Sequence, residues 1–301
     1  MSKFHFIKNK KVTLIIIAAI LLIGIGSFLI RGFNIDIDFS GGTEIQIDIG
    51  TEVTKEVCDN INNIIAEKIG SDYVSSTTKS TAVSTTAIIR TGTAALNTEQ
   101  QSTLEKALVE AYPQTNVDNI EITTIQPTIG DSLTRTAFIS VAIAVALMLI
   151  YIAFRFELAS GLAAVISLAH DMFVMLAIYS LFQIPINSNI IAALLTILGY
   201  SINATIIVFD RIRENKKKDT EGKSFSELVN DGIHDTLGRS VNTTITTLLT
   251  IGMIYILGVD SIKDFALPLI IGIVAGLFSS VFISGMLWDM LRKVLPSKKK
   301  N

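Results

Sequence analysis

Residues 187–215 read NSNIIAALLTILGYSINATIIVFDRIREN, and this stretch decides what kind of chain it is. From Ile190 to Phe209 no charged side chain occurs, and then Asp210, Arg211, Arg213 and Glu214 arrive together. About 20 helical residues rise roughly 30 Å, the thickness of a bilayer's hydrocarbon. A membrane span over 187–209 that ends in an abrupt charge cluster is therefore expected. Five further stretches meet the same criterion, at 12–30, 132–154, 159–182, 236–258 and 264–288. The first follows the basic segment MSKFHFIKNKK. Its apolar run is longer than the roughly 7–15 residues of a signal-peptide core and ends at Arg31-Gly32-Phe33, so it is expected to remain as a span.

Composition agrees with six spans. Of 301 residues, 50% are hydrophobic and 17% charged, against about 25% charged in soluble proteins. A soluble enzyme and a disordered chain are both excluded. The net charge is 25 − 27 = −2 and no domain is basic, which argues against nucleic acid as a partner. Cys58 is the single cysteine, so neither an intramolecular disulfide nor a multi-Cys metal site is available. His5, His170 and His234 are far apart in sequence. No metal or cofactor is expected. No nucleophile–base constellation or phosphate loop appears, so an enzyme is not expected.

Charge sets the orientation. Lys3, Lys8, Lys10 and Lys11 precede the first span. Arg211, Arg213, Lys216, Lys217, Lys218 and Lys223 lie in the connection 210–235, and Arg292, Lys293, Lys298, Lys299 and Lys300 follow the sixth span. Six spans put all three clusters on one side, which the positive-inside rule makes cytoplasmic. Residues 1–11 and 289–301 then form cytoplasmic termini around the membrane segment 132–288 and its connection.

The connection 32–131 is long enough for a domain, carries 15 acids against 5 bases, and lies outside. EIQIDIG (44–50) alternates as a strand does, and Thr54–Ile69 repeats apolar residues at helical spacing. Tyr73–Val83 and Thr86–Thr91 read as strands, Thr98–Tyr112 as a second helix and Thr115–Ile125 as a last strand. This βαββαβ order predicts a ferredoxin-like α+β domain, with Ile61, Ile65, Leu104 and Leu108 buried under a four-stranded sheet. On the other side, SFSELVNDGIHDTL from Ser224 carries a capping box, Ser224 with Glu227. It reads as an amphipathic helix lying on membrane lipid.

Polar groups inside spans are costly and mark function by default. Asp171 is the only acid deep in a span, beside His170, and shares a helical face with Ser160 and Ser167. Neighbours on a helix diverge by about 100°, so His170 and Asp171 are expected to point apart. Asp171 reads as a polar anchor between helices or as a proton-responsive group. Arg239, Asn242, Thr243, Thr246 and Thr250 form a second polar face, either an ion pathway or a set of packing contacts with Arg239 reaching the surface. Asp210, Arg211, Arg213 and Glu214 read as a surface charge network. Gly272, Gly276, Ser280 and Ser284 read as a packing stripe in the sixth span.

Five pieces of sequence carry a resemblance: DFSGGTE (38–44), IQPTIGDSL (125–133), YIAFRFE (151–157), GYSINATIIVFDRIREN (199–215) and GRSVNTTITTLLT (238–250). Together they resemble the SecF family, the smaller subunit of the SecD–SecF accessory complex of bacterial preprotein translocation. That family is similar to half of a resistance-nodulation-division (RND) transporter. The resemblance implies a six-span RND-like half bundle in the bacterial inner membrane, with SecD, the SecY-centred channel and the translocating preprotein as partners. It implies export driven by an ion gradient, with Arg239 on the ion pathway and Asp38, Gly41, Gly42, Gly199, Tyr200 and Ser201 as hinge or motif residues. Gly41-Gly42 is then either a connector turn or a hinge beneath the outer domain. The chain departs from the family pattern at one point. Asn203 is followed by Ala204, where the family usually carries a proton-binding aspartate, so that role does not transfer. Two other readings stay open here: a scaffold subunit without ion coupling, which Ala204 favours, and a stand-alone RND-like exporter, expected to need a duplicated bundle.

Overall fold

The computed structural model describes residues 5–80, 83–91, 95–115, 120–155 and 157–295. Lys3, the tail lysines Lys298–Lys300 and the parts of two expected strands at 81–82 and 116–119 lie outside the described residues. Helix α1, Lys10–Arg31, is followed by a short connector with one helical turn, α2, Ile37–Ser40. The α+β domain then comprises β1 (Gly42–Asp48), α3 (Lys55–Lys68), β2 (Val74–Lys79), β3 (Thr86–Thr91), α4 (Thr98–Ala111) and β4 (Glu121–Ile125).

The sheet order is β2-β3-β1-β4 and every pairing is antiparallel. Ile45 stands opposite Ile89 on one side and Ile122 on the other. The inward residues Ile45, Ile47, Ile49 and Ile89 pack with Ile61 and Ile65 of α3 and Leu104 and Leu108 of α4. This is the expected ferredoxin-like layer of two helices on one sheet. Both helix starts are held by side chains: Thr54 accepts the Val57 N–H, and Asn97 and Gln100 form a capping box.

Among the described residues, six helical segments are long and apolar enough to cross a membrane. Five are α1, α5 (Pro127–Arg155), α6 (Leu158–Phe182), α7 (Asn189–Lys218) and α8 (Phe225–Leu257). The sixth runs unbroken through α9 (Asp260–Phe278), a π-helical turn over Ser279–Ser284 and α10 (Gly285–Val294). The chain is thus a multi-pass membrane protein. Helices α6, α7 and α9–α10 form the centre, whereas α5 leaves nearly its whole length uncovered.

Small residues make the central seams possible. A side chain on Gly272 would collide with Ile197 of α7, and one on Gly276 would sit 3.3 Å from Ser201 Cβ. The glycine–serine stripe of the sixth span is therefore where α9 lies against α7. Gly24 plays the same part between α1 and α6, facing Phe173 and Ala177.

One expectation changes. The segment from Ser224 is not a separate helix resting on lipid. It forms the first turns of the 33-residue α8, with the expected Ser224–Glu227 capping box. Its apolar residues Leu228, Val229 and Ile233 are buried. They have protein to pack on: Gly232 abuts Ile212 of α7, and Gly285 of α10 abuts Val229 and Ile233. An amphipathic face buries against whatever apolar surface is nearest, and here α7 and α10 supply it. Most of 210–235 is accordingly the ends of two long helices, not a loose connection.

Candidate functional site

Asp171 sits on α6 with no exposed surface. Its Oδ2 accepts the Ser201 hydroxyl of α7 at 2.5 Å and the Ser279 hydroxyl at 2.7 Å. Ser279 opens the π-helical turn after α9. A buried carboxylate needs donors on every side, and here three separate helical segments provide or carry them. His170 adds a third contact, Nδ1 to Asp171 Oδ1 at 3.1 Å. Against the expected divergence, the two neighbouring side chains meet at the second carboxylate oxygen. His170 Nε2 is buried without a hydrogen-bond partner among the described residues, and the ring lies 5.9 Å from Phe278. Ser160 and Ser167, on the same face, are fully buried and donate to the carbonyls of Glu157 and Ala163.

The second polar face is separate. Arg239, Asn242, Thr243 and Thr246 of α8 are exposed, as is Asn203 of α7. Thr243, Thr246 and Thr250 donate their hydroxyls to carbonyls one turn back, at Arg239, Thr243 and Thr246. No carboxylate among the described residues pairs with Arg239. Tyr200 reaches Thr244 at 3.5 Å and ties α7 to α8, while Gly199 faces open space. In the motif GYSIN, Ser201 therefore turns inward to Asp171 and Asn203 is exposed. The structure does not bring Asp171 and Arg239 together.

At the far end of α7, Asp210 pairs with Arg155 of α5 at 3.3 Å and Arg213 at 3.4 Å. Arg211 pairs with Glu214 and with Asp235 of α8, both at 2.9 Å. The network links three helices at an exposed surface, where such pairs contribute little each.

The DFSGG motif forms a joint between the sheet domain and the bundle. Asp38 accepts the Ser188 N–H at 2.7 Å. Gly41 and Gly42 take φ of 75° and 139°, a backbone open to glycine. Gly130 of α5 lies against the Phe39 carbonyl so closely that a Cβ there would be 2.6 Å away. Sequence reasoning missed the connector's partners. Asp36 N–H donates to Ile186 O, Ile186 N–H donates to Asn34 O, and Asn34 donates to Gln183 O. Arg90 of β3 reaches both Asp36 at 3.1 Å and Glu44 at 2.8 Å. The one available signal was a lone arginine inside the apolar strand TAIIRT.

Comparisons with known proteins agree over nearly the whole chain. Residues 104–294 match the family described as protein export membrane protein SecD/SecF, C-terminal. The protein translocase subunit SecF of Sebaldella termitidis is 34% identical over 296 residues, covering 98% of this chain and 94% of that protein. SecF of Acidaminococcus fermentans is 35% identical, with 98% and 99% covered. The subunit SecDF of Thermus thermophilus is 35% identical over 91% of this chain, which spans 37% of that longer protein. The crystal structure of Thermus SecDF, described as a translocon-associated membrane protein, superposes with a TM-score of 0.82 at 32% identity, over 97% of this chain and 39% of that one. A SecDF structure in a form called super-membrane-facing gives 0.66 at 33% identity, over 98% and 40%.

Proposed function

This chain belongs to the SecF family, auxiliary subunits of Sec protein translocation, and from that premise we propose how it takes part in export. SecD is its partner, since the longer relatives named SecDF contain a SecF-like part of this length. The partner packs on the polar face of α7 and α8. One observation carries this reading: Arg239 heads an exposed row of Asn and Thr on a membrane helix and pairs with no carboxylate among the described residues, Asp235 one turn before it being held by Arg211. A charge left in hydrocarbon is expensive. Ala204 stands where the family usually has aspartate, and the one acid a turn before Arg239, Asp235, is held by Arg211 at 2.9 Å, so SecD supplies the partner for Arg239.

The sheet domain lies outside the bacterial inner membrane and both termini lie in the cytoplasm, as the lysine and arginine clusters require. The complex works beside the SecY-centred channel on the emerging preprotein, with no enzymatic step and no cofactor of its own. Ion flow biases a two-state bundle. Asp171 is the internal group that responds. Its Oδ2 accepts from both Ser201 and Ser279; a proton placed on that oxygen takes up an acceptor position, so that one of the two bonds must reverse or break. That loosens α6 from α7 or from the π-helical turn. The unequal superposition on two SecDF forms supports a scaffold with more than one arrangement.

The test is secretion by membrane vesicles containing SecD, with and without an imposed proton or sodium gradient. Asp171→Asn and Arg239→Ala should each abolish the gradient-dependent increment. If Asp171→Asn keeps the full response, the titrating carboxylate is SecD's. If the wild type shows no response, the subunit is an uncoupled scaffold.

A further inference from the structure

Two segments that are remote in sequence run side by side where the bundle meets the sheet domain. Residues 34–38 lie along residues 183–188, joined by a parallel bridge between Ile35 and Ile186. Four hydrogen bonds of 2.7–3.1 Å stitch them: Asn34 to Gln183, Ile186 to Asn34, Asp36 to Ile186 and Ser188 to Asp38. The second segment is the loop between α6 and α7, the two helices joined by Asp171 and Ser201. It also reaches α9, because Asn187 donates to Asp264 at 2.9 Å. The strap therefore sits on the three helices whose relative placement the buried carboxylate governs.

A single charged contact carries the strap into the sheet. Arg90 stands opposite Glu44 in the pairing of β3 and β1, and its Nε lies 2.8 Å from Glu44 and 3.1 Å from Asp36. All three side chains are largely buried. Nε is within ion-pair distance of both carboxylates yet aligned with neither for a hydrogen bond. Glu44 belongs to the sheet and Asp36 to the strap. We propose that Arg90 is a positioning residue for translocation, holding the sheet domain to the strap through Asp36 so that movement of the α6–α7 loop is delivered to that domain.

A stability role explains the arrangement less well. Burial pushes the Asp36 carboxyl above its ordinary value, and the opposing pull of Arg90 is the smaller effect. Such a pair adds little to folding, whereas it can fix one geometry among several. Asp36→Asn is accordingly a clean break. Arg90 keeps Glu44, the asparagine still caps Ile37, and only the charge between strap and sheet is lost.

The inference rests on the ion-coupled reading for its transport consequence but not for its geometry, so two measurements are needed. Spin labels on Lys106→Cys in α4 and Val259→Cys before α9, in a Cys58→Ser background with SecD co-reconstituted, report the distance between domain and bundle. Asp36→Asn should broaden that distribution without lowering the melting temperature of the sheet domain, and Arg90→Gln should broaden it likewise. In secretion, the gradient-dependent increment should fall about fivefold or more, the lower end for coupling between sites, while the gradient-independent rate stays. A distribution as narrow as wild type in both variants overturns the proposal, whatever the vesicles do. So does a full gradient response in both. A wild type without any gradient response refutes the ion-coupled reading alone, and the label distances still decide the role of Arg90.

Discussion

Asp171 and Arg239 show how one membrane segment can hold two unlike polar groups. Asp171 is enclosed and satisfied by donors from neighbouring helices. Arg239 is exposed at the head of a row of amides and hydroxyls. Their difference follows from the helix period: Ser201 and Asn203, two positions apart on α7, point to nearly opposite sides. Removing one donor leaves the buried carboxylate short of a partner. Ser279→Ala should therefore destabilise the bundle by about 1–3 kcal/mol, read as a lower midpoint for detergent-solubilised chain, whereas Thr250→Ala on the open face should change it far less. Asp36 gives a pH prediction with a definite sign. Its folded carboxyl is raised above 3.8 by burial, against Arg90, with Glu44 and Asp38 adding to the rise. The folded state thus holds the proton more tightly, so the contribution is present below the unfolded value and lost as pH rises through the raised folded one. Melting of the sheet domain in wild type and Asp36→Asn should diverge as pH climbs from about 3.8, with wild type losing ground; parallel curves would contradict this.

At the scale of elements, periodicity did most of the work. The alternation of EIQIDIG and the helical stripe of Thr54–Ile69 led to β1 and α3 because each buries one face in the same core. Leu108 is fully buried in that core, and Leu108→Ala should cost the domain about 2–5 kcal/mol, seen as a loss of its cooperative melting transition at lower temperature. Polarity was a weaker guide. The charged run after Phe209 suggested a connection, yet α7 continues to Lys218, since Lys, Arg and Glu favour helix as much as leucine does. The same blindness hid the start of α8, whose apolar stripe faces protein, not lipid. The strap between 34–38 and 183–188 left no trace in the sequence at all. Its bonds are mostly backbone groups brought together by the fold, and any residue has those. Arg90 showed only as a lone charge in TAIIRT, because its partner Asp36 lies 54 positions away in another element.

At the scale of the whole molecule, the chain is a half bundle with an uneven surface. Helices α1 and α5 expose Leu22, Leu29, Phe138 and Phe154, which suits contact with lipid, while α7 and α8 expose amides, hydroxyls and a guanidinium. The proposed orientation predicts that Lys106→Cys is labelled from outside intact cells and Lys217→Cys only after permeabilisation; the reverse pattern would invert the topology. On the proposed reading, SecD completes the polar face of α8. Cross-linking tests it most directly, with Thr246→Cys in a Cys58→Ser background and single cysteines placed along the membrane helices of SecD. A strong SecF–SecD cross-link is expected from Thr246→Cys and none from the control Phe138→Cys on α5. Cross-linking from Phe138→Cys alone would contradict it, because the partner would then sit on the apolar side and leave Arg239 facing lipid.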